Sequence, residues 1–331
     1  MNTLVLKPSI RNENLEVHFN LWNSESDNLK FLDIGIMCDN KDQQFTLEIP
    51  SSSFVSIIDL SDKLKSDIRN SIFNCYMDKK SEDGYEILNR ENDKEDKFLL
   101  SPIENKTDLK PQNEIIKTKI DIKAIKINGT NIKKKYLRFR ITDFDIEKFI
   151  ITKDSESKIF ESSYVKNKII DFRFNDYRIL DSSKIQEYKL NDDCYKKIHF
   201  FYMTDALENI SLCSDKYDVR FLERDLWDEY LEIPKRKKDI LVYHLKNDKG
   251  VSNASFLIKS QQENTSKWHL LFYAFIVLDL AVLANNIYGL LPIISIKTTI
   301  NWRWFIGTVI TTLFSPFLII GLSKLVKKIR K

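Results

Sequence analysis

The chain has 331 residues, 30% of them charged, with 52 Lys and Arg set against 48 Asp and Glu for a net charge of +4. That near balance excludes a general nucleic-acid binder held by a basic field. Only 7 glycines and 4 cysteines occur; neither GxGxxG nor GxxxxGK[ST] is present, and the scattered Cys38, Cys75, Cys194 and Cys213 form no CxxC pair and no disulfide framework.

Strand signals open the chain. Leu15, Val17, Phe19 and Leu21 alternate with Glu16, His18, Asn20 and Trp22. Leu32, Ile34, Ile36 and Cys38 alternate in the same way, as do Phe45, Leu47 and Ile49. Period-two runs of this length predict half-buried strands, and the turn residues between them predict an antiparallel meander. After Pro50, the residues Ile57, Leu60, Leu64, Ile68 and Ile72 recur at three to four positions. That spacing predicts an amphipathic helix from Phe54 to Asn74 lying on the sheet, so residues 1–78 read as meander plus helix. Residues 79–114 are charge-dense and poor in large apolar side chains, and read as a charged loop or linker.

Residues 115–262 form a second strand-rich block. Ile120, Ile122 and Ala124 alternate with charged residues, Ile125 and Ile127 shift phase as a bulge requires, and Asn128-Gly129-Thr130-Asn131 predicts a hairpin turn. On the returning strand Leu137, Phe139 and Ile141 face inward, leaving Tyr136, Arg138 and Arg140 outside. With Lys133, Lys134 and Lys135, Arg138 and Arg140 make a basic hairpin suited to the phosphate of a nucleotide, a nucleic acid or a lipid headgroup. The competing reading is a solvated edge on which lysines discourage strand pairing. Further strands are predicted at 169–180, 196–203, 217–222 and 239–245, with a partly helical stretch at 221–233 and a solvated basic turn at Pro234–Lys238.

Residues 263–331 hold two apolar stretches, Trp268–Leu290 and Trp302–Leu322, each near the roughly 20 residues that cross a hydrocarbon core. The expectation is a C-terminal two-helix transmembrane hairpin. Lys324, Lys327, Lys328, Arg330 and Lys331 follow the second stretch, so the positive-inside rule places both termini on the cytoplasmic side of an inner (plasma) membrane. Met1–Asn12 lacks the apolar core of a signal peptide. Asp279 falls mid-span, where an ionisable residue marks a pore, an oligomer seam or a hydrogen bond to a neighbouring helix. Gly307, Thr311 and Ser315 recur every fourth residue, a stripe of small side chains suited to close packing within the chain or in a homo-oligomer.

Catalytic signatures such as GxSxG and HExxH are absent. Asp143 and Asp145, and separately Asp225, Asp228 and Glu229, offer carboxylates without the histidine or second carboxylate that would complete a site. His18, His199, His244 and His269 are spread along the chain and give a metal site no local spacing. No metal and no cofactor is called for. The fold expected is a strand-rich α+β cytoplasmic region of antiparallel or mixed sheets, tethered by the hairpin. In layout alone, with no residue-level correspondence, this resembles the membrane effectors of bacterial antiphage and abortive-infection systems. The resemblance implies a membrane-anchored sensor and membrane-disrupting effector, whose cytoplasmic domain senses a ligand or partner protein while its hairpins assemble in, and perturb, the lipid bilayer. The alternative is a membrane-tethered scaffold or adaptor whose hairpin is only an anchor. A tethered hydrolase using Asp143 and Asp145 ranks third.

Overall fold

The computed structural model describes most of residues 3–263 and a few helical positions between 274 and 281. Two compact units are present, residues 1–153 with 167–262, and residues 154–166 with 263–331. The first carries the sheets.

In chain order the first half contains β1 (Val5–Pro8), β2 (Leu15–Ser24), β3 (Leu29–Asp39), β4 (Gln44–Pro50), β5 (Val55–Asp59), β6 (Met77–Glu82), β7 (Tyr85–Arg90), β8 (Asp93–Leu100) and β9 (Lys106–Leu109). The second half adds β10 (Ile115–Asp121), β11 (Lys134–Thr142), β12 (Ile150–Asp154), β13 (Val165–Phe174), β14 (Tyr195–Asp205), β15 (Glu208–Cys213), β16 (Tyr217–Phe221), β17 (Ile240–Asn247) and β18 (Ala254–Glu263). The named helices of this unit are α1 (Ile68–Phe73), α2 (Ser182–Tyr188) and α3 (Arg224–Leu231).

Strands β16-β17-β14-β2-β3-β11-β8-β7-β6 run in that order, and β5 and β9 complete a mixed sheet of 11 strands. β2 and β3 pair antiparallel across a tight turn in which Asn28 takes φ 56°, a left-handed conformation that asparagine tolerates. β14 then joins the other edge of β2 in parallel. Two smaller sheets, β1-β4-β10 and β12-β13-β18-β15, complete the strands.

Alternation gives the large sheet two faces. On one, Val17, Phe19, Leu21, Ile34, Leu137, Phe139, Ile198 and Phe200 are fully buried against Phe45 and Leu47 of β4 and Phe172 and Phe174 of β13. Each such side chain contributes about 1.5–3 kcal/mol by leaving water. The other face carries Glu16, His18, Asn20 and Trp22 on β2, with Asp33 and Gly35 on β3 and Arg138 and Arg140 on β11. It is covered by α1 and α3, whose Ile68, Trp227, Tyr230 and Leu231 pack with Trp22, Met203 and Val242. Apolar burial therefore holds both sides of one sheet, and the polar residues of the second side are enclosed rather than solvated.

Buried Glu208 on β15 ties the four-stranded sheet to the larger one. It accepts hydrogen bonds from Tyr202 Oη at 2.7 Å, Thr204 Oγ1 at 2.7 Å and Ser260 Oγ at 2.5 Å, and pairs with Lys168 Nζ at 2.8 Å.

The strand-rich part of the expectation stands, while other parts change. Residues expected as one helix from Phe54 to Asn74 form β5, a short 3-10 turn over Asp62–Lys65, and α1. Val55 and Ile57 bury at period two, β-branched side chains favour the extended chain, and Ser66 turns extended before α1 begins. Strands β6 to β9 occupy the segment read as a charged loop, where Leu88, Phe98 and Leu100 supply the burial.

The transmembrane expectation is overturned. No helix among the described residues is long and apolar enough to cross a membrane. Helices α1, α2 and α3 have 6, 7 and 8 residues, about 12 Å at most against the roughly 30 Å required. The C-terminal two-helix hairpin falls, and with it the inner-membrane placement and the cytoplasmic termini inferred from it. Run length and hydropathy measure how much apolar surface leaves water, not what covers it. Asp279, Asn285 and Asn286 interrupt the first apolar run and Pro316 the second. Asp279, Gly307, Thr311 and Ser315 lie outside the described residues.

Candidate functional site

The helix-covered face concentrates charge that apolar packing does not explain. Asp33, with no exposed surface, accepts hydrogen bonds from Arg140 Nε at 2.7 Å, Arg140 Nη2 at 3.2 Å, Tyr230 Oη at 2.7 Å and Trp22 Nε1 at 3.1 Å. Arg138 is also fully buried. Its Nε donates to Tyr230 Oη at 2.8 Å and its Nη1 to Tyr136 Oη at 3.3 Å. Its Nη2 lies 3.8 Å from Asp33 Oδ2 and has no hydrogen-bond partner among the described residues. Two guanidinium groups thus face one buried carboxylate. Burial opposes the Arg138 cation, but the Tyr230 and Tyr136 hydroxyls and the Asp33 carboxylate more than offset it and hold its proton more firmly than usual. Gly35 makes room for this arrangement, since a Cβ there would collide with the Tyr136 hydroxyl and stand 3.3 Å from Arg138 Nη1.

A small cleft opens beside Arg138. His18, Asn20, Arg138 and the half-buried Arg220 supply its polar groups, and Ile72, Phe201, Met203 and Trp227 supply apolar walls. It has room for little more than a water molecule, or the tip of a larger ligand. Asn20 Oδ1 is a second buried polar atom there without a hydrogen-bond partner among the described residues. Buried polar atoms are normally satisfied, so two such atoms in one cleft are informative.

A histidine cluster adjoins it. In the parallel β2–β14 register His18 stands opposite His199, and Glu16 lies two residues before His18 on the same face. Antiparallel β17 places His244 opposite Phe201. Glu16 Oε1 is 3.2 Å from His18 Nε2 and 3.6 Å from His199 Nε2. His199 Nδ1 and His244 Nε2 share a hydrogen bond at 2.9 Å. Burial, then the charge of His18, lowers both partly enclosed imidazoles, His199 to about 3 and His244 to about 4, so both are neutral at physiological pH. Burial would raise Glu16, but the hydrogen bond and charge of His18, helped by His199 and Lys197, outweigh it and hold the carboxyl at about 2.

Of the basic residues expected on an exposed hairpin, the structure brings Arg138 and Arg140 together under α3 rather than to the surface. Lys135 is buried too, Lys134 half-buried and Lys133 exposed. The hairpin turn itself lies outside the described residues. Asp145 accepts hydrogen bonds from Ser52 N at 2.7 Å, from Ser52 Oγ and from Ser53 Oγ at 3.1 Å. It thereby clamps two turns, and the neighbouring Asp143 lies in a left-handed conformation with φ 63°. Asp228 pairs with the buried Arg236, so the basic turn at Pro234–Lys238 is partly packed inward. Sequence spacing missed the histidine cluster and the cleft, because both arise from strands far apart in the chain. The signal available was modest: His18, His199 and His244 each sit in a run with strand character.

No family model matches the chain, and no curated protein matches it. Among solved structures the chain is similar to the yeast delta-COP-I mu-homology domain complexed with a Dsl1 WxWxV peptide, at 11% identity and a TM-score of 0.20, over 80% of this chain and 77% of that one. At that score the likeness carries no argument.

Proposed function

We propose that this chain is a ligand-sensing binding domain whose ligand presents a small anionic group, a carboxylate or a phosphate, to Arg138. The observation that carries the reading is the fully buried Arg138 Nη2, which has no hydrogen-bond partner among the described residues, at a cleft that Arg220 also lines. A buried cation left partly uncompensated is costly, and a charge-assisted hydrogen bond from an entering anion relieves that cost. The apolar walls accommodate the carbon next to the anionic group, and the rest of the ligand extends outward past Arg220. This keeps the sensing half of the expectation and none of its membrane half.

Calorimetric titration with inorganic phosphate and with acetate tests it. One ion saturates a single site, and Arg220→Ala, a half-buried position outside the main core, weakens that binding about ten-fold, or roughly 1.4 kcal/mol. Binding unchanged in Arg220→Ala, or no binding of either ion, sinks the reading.

A further inference from the structure

We propose that Glu16, His18 and His199 form a binding site for a divalent transition-metal ion, with His244 holding His199 in the ligating tautomer. The inference goes beyond the anion reading and stands on different atoms, although His18 also lines the cleft.

Donor chemistry comes first. Two imidazole nitrogens and one carboxylate oxygen suit zinc and its first-row neighbours, and leave further positions for water or another ligand. These three donor atoms lie within 4.8 Å of one another. Ligand arms of about 2.0–2.2 Å in a tetrahedral site hold donors roughly 3.4 Å apart. Glu16 Oε1 already stands 3.2 Å from His18 Nε2 and 3.6 Å from His199 Nε2. Only the two imidazoles must draw together, and they sit on directly paired strands with ring centroids 4.8 Å apart.

A second observation points to a ligand. His199 Nε2 is buried and has no hydrogen-bond partner among the described residues. Its other nitrogen is engaged with His244 Nε2 at 2.9 Å. When Nδ1–H donates to His244, the Nε2 lone pair is directed toward Glu16 and His18 and is free for a cation. Metal-ligating histidines are usually held in this way through their second nitrogen. His244 is therefore a positioning residue that does not touch the ion.

The test uses the full chain stripped with a chelator and titrated with Co2+ alone, read by its visible ligand-field absorption and by competition with Zn2+. One Co2+ per chain is expected. Glu16→Gln and His18→Gln should each weaken binding ten-fold or more. His244→Phe should keep one ion per chain but weaken it about 10- to 100-fold, and His244→Asn, which retains an acceptor, should recover part of the loss. Affinity unchanged in His18→Gln, or no cobalt bound, overturns the proposal. X-ray absorption of the zinc-loaded unmutated chain decides the matter even where a variant fails to fold. Scattering from two imidazoles supports the site, and its absence refutes it.

Discussion

At the scale of single residues, Asp33 and Arg138 make unequal contributions. Asp33 is the one carboxylate shared by two arginines, a tyrosine and a tryptophan. Removing its charge leaves buried cations uncompensated, so Asp33→Asn should lower stability by about 3–5 kcal/mol. Arg138 is the less compensated cation, and Arg138→Met, similar in length and apolar, should cost less, about 1–3 kcal/mol for the hydrogen bonds that the Tyr230 and Tyr136 hydroxyls lose. Urea denaturation of the two variants checks this asymmetry. Equal losses would mean that Arg138 is held for the fold and not for a ligand. The outward position of Arg138 on its strand was legible from the alternation of Leu137, Phe139 and Ile141. Its burial was not, because the covering Tyr230 comes from 92 residues further along the chain.

At the scale of elements, local patterns succeeded where one face of a strand sets the period. β2, β3 and β11 follow the alternation read from Val17, Ile34 and Phe139, all fully buried. The pattern failed over Phe54–Asn74, where Ile57, Leu60, Leu64, Ile68 and Ile72 mimic a helical stripe although strand, turn and helix succeed one another. The turn before β5 is fixed by Asp145, whose carboxylate accepts from Ser52 and Ser53. Burial would raise its pKa, but the Ser52 and Ser53 hydrogen bonds and the Lys148 charge hold it below the ordinary 3.8. The unfolded chain therefore takes up this proton more readily. The stabilisation is present above the ordinary value and is lost as pH falls through it and below. Asp145 is largely solvent-screened, so the effect amounts to about 1 kcal/mol or less. Comparing unfolding midpoints near pH 6 and pH 3, Asp145→Asn should lose less stability on acidification than the unmutated chain. An identical pH slope would contradict the clamp.

At the scale of the whole molecule, both candidate sites depend on strand order. β14 lies beside β2 although 180 residues separate Leu15 from its partner Tyr195, and only that parallel pairing sets His199 beside His18 and Phe201 beside Asn20. Alternation reveals which side chains share a face of one strand. It is silent on which strands are neighbours and on what covers them, which is why Arg138 and Arg140 were read as outside although both are buried. The enclosed polar face, with its less compensated cation at a cleft, is the centre of this account. A crystal structure grown with inorganic phosphate or acetate tests it most directly. The account predicts an anion oxygen about 2.7–2.9 Å from Arg138 Nη2, with Arg220 turned toward the same ion. An empty cleft with Nη2 hydrogen-bonded to Asp33, or an anion bound only elsewhere, would contradict it.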